Sequence, residues 1–184
     1  MVTINFNPFP VLKTNRLLLR QLEPADVNEV FIMRTDDRAM EYIDRAKCKS
    51  TEEALAFIEM LNRLENNNES ITWGITFQGQ KNIVGTICIW HIDVDNYRAE
   101  VGYTMLPDYF GKGIMQESLA KVLEYAFQQL KLHSVEARVN PGNSASIKLL
   151  ERSGFVREAY FKEHYLYEGK FKDTVVYSIL TPVK

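Results

Sequence analysis

Pro107-Asp108-Tyr109-Phe110-Gly111-Lys112-Gly113-Ile114-Met115 is the stretch on which the reading of this chain turns. Before it, Ala99 to Leu106 reads as a strand, ended by Pro107, which cannot donate to a ladder. After it, Leu119, Leu123, Ala126, Phe127 and Leu130 recur at helical spacing, predicting a helix over Ile114 to Leu130. The stretch is therefore a loop between a strand and a helix. Its two glycines let consecutive amides turn toward one point, and the helix adds unpaired N–H groups and the positive end of its dipole. Such a nest holds a phosphate or pyrophosphate mainly through main chain, with Lys112 as an added point charge. The bland alternative is a glycine-rich helix start that binds nothing. Two familiar phosphate motifs do not fit. A Walker A loop needs glycine where Leu106 stands and serine or threonine where Gly113 stands. The dinucleotide fingerprint needs a third glycine where Gln116 stands.

Outward from this loop, the chain alternates between strand and helix signals. Thr14 to Gln21 reads as a first strand, and Glu23-Pro24-Ala25-Asp26 opens a helix continued by Val27, Val30, Phe31 and Met33. Ser50 and Glu53 form a capping box for a second helix, whose stripe of Ala54, Leu55, Ile58, Leu61 and Leu64 reads as core. Ile71 to Phe77 and Ile83 to Trp90 form a hairpin around Gln78-Gly79-Gln80-Lys81-Asn82. Beyond the central helix, Val135 to Asn140 is a strand, and Ser144 to Ser153 a short helix closed by Gly154 at the left-handed C′ position. Phe155 to Tyr167 and Phe171 to Leu180 are two tail strands. The order predicts one mixed α/β domain over residues 1–184, with its core at about 14–180.

Composition bounds the function. The chain has 184 residues, 46% hydrophobic and 25% charged, with 22 Lys and Arg against 24 Asp and Glu. A formal net charge of −2 gives no global basic field, so direct nucleic-acid binding is not expected and any phosphate needs a local site. The two cysteines, Cys48 and Cys88, form no CxxC pair; Cys88 and His91 have ligand-like spacing, but no second pair completes a metal site. Met1 to Lys13 lacks a charged n-region followed by an apolar core, and no run is long enough to span a membrane. These features point to a reduced, cytoplasmic protein with no membrane or metal partner.

Ala99-Glu100-Val101-Gly102-Tyr103, then Tyr109-Phe110-Gly111-Lys112-Gly113, then Asn143-Ser144-Ala145-Ser146 with Gly154-Phe155, resembles the GNAT superfamily of N-acetyltransferases. Arg16-Leu17-Leu18-Leu19-Arg20 followed by Pro24-Ala25-Asp26 is similar to the opening of its RimJ/RimL type, which acetylates N-terminal amines of ribosomal proteins. The likeness runs from about Thr14 to Leu180, and its strength lies in the order and spacing of motifs that are weak singly. It implies the GNAT fold: a single, mostly antiparallel sheet flanked by helices. It also implies acetyl-CoA as co-substrate, with no metal.

By resemblance, the pyrophosphate motif falls on Phe110, Gly111, Lys112, Gly113, Ile114 and Met115. Phe110 departs from the usual polar residue, though an aromatic is usual in the RimJ/RimL type, and Met115 departs from the usual small one. Backbone near Tyr103 and Met105 would pair with the pantetheine arm like an added strand. Amides there would also polarise the thioester carbonyl. Asn143 and Ser146, three apart on one helix face, would hold the coenzyme near its thiol; Asn143 also suits an N-cap. Many relatives carry a tyrosine four residues beyond Ser146, where this chain has Leu150. Ser146 is then the nearest hydrogen-bond donor to the departing thiolate. Its removal is expected to slow turnover about tenfold with little effect on stability. Glu100 is the first choice of base and Glu136 the second, each with a solvated or ion-paired strand residue as its bland alternative. His91 would border the acceptor pocket.

The expected reaction is direct attack of a primary amine on the acetyl thioester, the amine most readily being the N-terminal α-amine of a protein, ribosomal by resemblance. Two rivals stay open: a small-molecule amine as acceptor, and a non-catalytic acyl-CoA-binding protein. Dimerisation is undecided, with the tail strands as the surface that would carry it.

Overall fold

The computed structural model describes residues 4–182; residues 1–3 and 183–184 of the single domain expected over 1–184 lie outside it. One eight-stranded sheet runs through the molecule. Its strands are β1 (Leu12–Lys13), β2 (Leu17–Arg20), β3 (Ile71–Phe77), β4 (Ile83–Asp93), β5 (Arg98–Met105), β6 (Ser134–Val139), β7 (Val156–Tyr167) and β8 (Lys170–Leu180). Their order across the sheet is β1-β2-β3-β4-β5-β6-β8-β7. Every neighbouring pair is antiparallel except β5 and β6, which run parallel because the helix α4 (Ile114–Gln128) crosses between them. Before β3 come α1 (Val27–Met33), α2 (Asp37–Met40) and α3 (Thr51–Asn66); α5 (Ser144–Arg152) follows β6. Among the described residues no helix is long and apolar enough to cross a membrane.

Local chemistry explains most of these boundaries. A 3₁₀ turn at Pro24–Asp26 leads into α1, and the Asp26 carboxylate, nearly fully buried, accepts from the Glu23 amide and takes two 2.8 Å bonds from Arg20. At the end of α5, Gly154 has φ +90°; its amide donates to Glu151 and that of Phe155 to Leu150, the paired bonds of a Schellman cap. The tail hairpin runs on to expose Tyr160, Phe161, Leu166 and Phe171.

Four local expectations change. The strand expected from Thr14 to Gln21 begins only at Leu17, because Thr14 and Leu17 bond one another in a turn, and an unexpected short strand, β1, precedes that turn. α2, which the sequence reading missed, is only four residues long, too short for any periodicity, and rests on the Asp36 cap. In the capping box, Ser50 Oγ accepts from Glu53, but the Glu53 carboxylate takes the Lys49 amide, because with Ser50 fully extended that amide is the one in reach. On α3, Ala54 and Ile58 are core and Leu61 packs against them partly buried, while Leu61 and Leu64 also line a cleft.

Alternation along the strands sends side chains to two faces. Trp73 on β3, Ile87 and Ile89 on β4, Val101 and Met105 on β5 and Val135 on β6 pack against α4 and α5 in one apolar cluster. A second cluster joins Leu22 and Ile83 to Val30 and Met33 of α1 and Ala54 and Ile58 of α3. Glu100, Gly102 and Thr104 alternate with Val101, Tyr103 and Met105 and so belong to the α1–α3 face. The pairing of β5 with β6 is short: Arg98, Ala99 and Glu100 meet Ser134, Val135 and Glu136, and beyond that the strands part. The sheet is split from Val101 onward, and the two faces communicate through the split.

Candidate active site

The glycine loop has the form its sequence predicts. Gly111 and Gly113 take φ +73° and +71°, conformations that other residues adopt at a cost of about 1–2 kcal/mol. A side chain at Gly111 would meet nothing within 4 Å, so the loop's outer surface is open and the requirement for glycine is one of backbone. Among the described residues no main-chain carbonyl accepts from the amides of residues 111–116; the ladder of α4 begins with Glu117 donating to Gly113. Ile114 is buried and Met115 packs against the same core, so both side chains leave their amides clear. The bulk at position 115 is absorbed by the interior. Phe110 is half exposed, and the Lys112 ammonium stands 5.0 Å from the Tyr109 ring.

Arg16 joins this loop, a role not assigned from the sequence although it stands in the quoted opening motif. Its guanidinium pairs with Glu117 at 2.7 Å and lies 3.8 Å from where a side chain on Gly113 would begin. The chain thus brings a second cation to the six free amides, 95 residues and more from it in sequence.

At the split, the two faces carry different groups. On the α5 side, the Tyr103 and Ser146 hydroxyls share a hydrogen bond of 2.6 Å. Burial pushes the Tyr103 phenol up to about 12, so it stays neutral and protonated at ordinary pH. Asn143 caps α5, its Oδ1 accepting from the Ser146 amide at 3.0 Å. Leu150 is fully buried in the core and brings no hydroxyl here. A tyrosine does approach Ser146, but from β5 rather than from the next turn of α5. Met105 is buried, so only its main chain can face the split.

On the opposite face lies Glu100, 7% exposed. Its Oε2 is 3.2 Å from His91 Nδ1 and 3.4 Å from Arg138 Nε. Burial raises its pKa above the ordinary carboxylate range, opposed by the His91 hydrogen bond and the Arg138 charge. Glu136 is its register partner on β6 but lies 3.7 Å from Arg98 and outside the cleft. His91 also stacks on Trp90 with ring centroids 3.8 Å apart. Glu100, Tyr103, Asn143 and Ser146 all line one cleft of about 480 Å³, within the range of small-ligand sites. Cys88 lines it too, with burial pushing its thiol up to about 11. Among the described residues no three His, Cys, Asp or Glu gather as a metal site.

Sequence reasoning thus named the loop, Ser146 and Glu100, and the fold brings the last two to one cleft. It used only the backbone of Tyr103 and gave no role to Arg16, Arg34, Arg45 or Arg138. Alternation along β5 predicts that Tyr103 and Glu100 face opposite ways, but which helix each would meet depends on the packing.

Comparison with known proteins agrees with this geometry. The acetyltransferase (GNAT) domain family matches residues 16–156. The uncharacterized N-acetyltransferase YoaA of Bacillus subtilis is 33% identical over 174 residues, covering 95% of this chain and 98% of its own. The alanine N-acetyltransferase for ribosomal protein uS5 of Escherichia coli is 28% identical over 69% of this chain and 66% of its own. The structure of spermidine N-acetyltransferase from Vibrio cholerae, in complex with CoA and spermine, superposes with a TM-score of 0.79 at 26% identity, covering 91% of this chain and 96% of that one. A split β5–β6 pair, a loop of free amides and a match over three quarters of the sequence describe one family, and the chain belongs to the GNAT acetyltransferases.

Proposed function

We propose that this protein transfers an acetyl group from acetyl-CoA to a primary amine, and that the amine is the N-terminal α-amine of a protein. The observation that carries the reading is the split sheet, which opens one cleft to groups from both of its faces. The free amides of residues 111–116, with Arg16 and Lys112 beside them, fit a pyrophosphate. The open edge of β5 from Val101 to Met105 fits an extended pantetheine arm. The coenzyme supplies an activated acetyl group.

The chain's own residues then position and move protons. The Ser146 hydroxyl, held by Tyr103, donates a hydrogen bond at the thiol end of the cleft. Glu100, on the far face, takes a proton from the incoming ammonium, and His91 steadies that carboxylate. Its raised pKa moves it closer to that of the acceptor, which eases the transfer. Only a neutral amine attacks a thioester. With pKa values of about 7.8 and 10.4, an α-amine is cheaper to deprotonate than a lysine by roughly 3.5 kcal/mol. A single carboxylate base suits the easier amine, and the uS5 alanine N-acetyltransferase among the relatives supports the same choice. The two free thiols, Cys48 and Cys88, accord with a cytoplasmic enzyme.

The test is a pair of matched peptides, one with a blocked α-amine and free lysine, the other with a free α-amine and acetylated lysine. Thiol release from acetyl-CoA is expected only with the second. Release with only the first overturns the choice of amine, and release with neither, while small amines are acetylated, moves the acceptor to a small molecule.

A further inference from the structure

The wall of the cleft on the Glu100 face is short of negative charge. Its charged lining consists of Arg34, Arg45 and Arg138 against Glu100 alone. Arg138 is matched to Glu100 at 3.4 Å, which leaves two cations. Among the described residues neither Arg34 nor Arg45 has a carboxylate partner. This surplus is local, because the whole chain is slightly acidic. Two other pairs of the same segment are neutral, Arg38 with Asp36 and Lys47 with Asp37, while Asp44 accepts from the Tyr165 hydroxyl and keeps its charge. Farther out, with Lys47 already paired to Asp37, Lys170 and Lys172 face Glu41, Asp44 and Glu168, so one of the two surplus charges persists toward the mouth.

Both arginines are held by contacts that leave their charge available. The Arg34 guanidinium lies 4.0 Å from the Phe57 ring, and its Nε donates to Cys48 Sγ at 3.0 Å. Arg45 stands 5.7 Å from the Trp90 ring, Trp90 stacks on His91, and His91 bonds to Glu100. A continuous run of contacts therefore links Arg45 to the buried carboxylate. Among the described residues the indole N–H of Trp90, buried beside Gly102, has no acceptor. This wall has cationic and N–H donors to spare and one carboxylate.

Resting on the reading of the acceptor as an N-terminal amine, we infer that the acceptor is anionic: an amine with a carboxylate close by, received by Arg45 and Arg34 while Glu100 faces the amine. The planar guanidinium fork matches a carboxylate in two bonds. Charge placed this way selects among partners and speeds encounter more than it adds affinity. A polyamine carries the opposite pattern, since each further ammonium would meet a guanidinium. The carboxylate has two sources, an acidic side chain at the second or third position of a peptide or the α-carboxylate of a free amino acid.

The experiment compares peptides of equal length and identical first residue, followed by acidic, neutral or basic residues, together with free amino acids and spermidine. Thiol release gives kcat/KM for each. The acidic peptide is expected to exceed the basic one by about tenfold or more at low salt, with the gap narrowing as ionic strength rises. Arg45→Gln, at an exposed position, is expected to shrink that gap while leaving the melting temperature and the KM for acetyl-CoA unchanged. Equal rates for all three peptides overturn the inference and leave the N-terminal reading standing. Transfer to free amino acids but to no peptide supports the carboxylate and overturns the peptide. Transfer to spermidine alone overturns both.

Discussion

The hydrogen bond between Tyr103 and Ser146 links a strand on one side of the split to a helix on the other, and it admits a quantitative test. Ser146→Ala leaves the Tyr103 phenol, a largely buried group, without its partner. An orphaned hydroxyl of this kind costs about 1–3 kcal/mol. In a domain of this size each kcal/mol lowers the melting temperature by roughly 2–4 °C. The expectation from sequence that Ser146→Ala would spare stability therefore changes: the variant should melt measurably lower. Tyr103→Phe removes the other half and leaves a smaller, half-buried hydroxyl at the first turn of α5, at a cost of about 0.5–1.5 kcal/mol. In the double variant neither group is orphaned, so it should be more stable than the sum of the singles predicts, by about 1 kcal/mol or more. The same cycle in single-turnover thiol release should show Tyr103→Phe slowing transfer several-fold and adding little to Ser146→Ala. Urea unfolding and rapid-quench kinetics on the four proteins supply the numbers. If stability and rate effects both add to within about 0.5 kcal/mol, the pair is not a unit and Tyr103 does not position Ser146.

Three further outcomes are expected. Gly111→Asn, tolerated in the left-handed region and facing open space, should bind coenzyme A within a few-fold of the parent, whereas Gly111→Asp should weaken it about tenfold or more by calorimetry; equal affinities would move the pyrophosphate elsewhere. Glu100→Gln should lower kcat/KM by roughly 10²–10⁴ and abolish its acid limb. In the parent that limb should lie above the ordinary carboxylate range, activity falling as pH drops through the raised pKa; an unchanged profile in the variant would remove Glu100 as base. Glu65, buried and, among the described residues, with Gln21 alone donating to it, also has a raised pKa. Its contribution to stability is present below the ordinary carboxylate pKa and lost as pH rises through the raised value, so Glu65→Gln should gain on the parent in melting temperature between pH 4 and 7. A gain that runs the other way would refute this.

How much was legible depended on how local the determining physics was. Strand, loop and helix around Gly111 and Gly113 follow from φ preferences and helix-end chemistry, which act over a few residues. The Gly154 cap and the β3–β4 hairpin were readable for the same reason. The turn at Thr14–Leu17 and the four-residue α2 were not, because each rests on a few local hydrogen bonds that leave no periodic trace. Leu61 and Leu64 carry a helical stripe as strong as that of Ile58, yet they border the cleft, since periodicity reports a face and not what lies across from it.

The sequence by itself determined the fold family, the glycine turn that enters α4 and the choice of Ser146 and Glu100 as candidates. The tertiary structure decided that these two approach one cleft from opposite faces of the sheet, because β5 and β6 pair over only three residues and then part. It decided that a tyrosine 43 residues away in sequence meets Ser146 where Leu150 cannot. It also decided which arginines keep their charge free. Pairing of that kind depends on distances across elements far apart in the chain, and no spacing within one element encodes them.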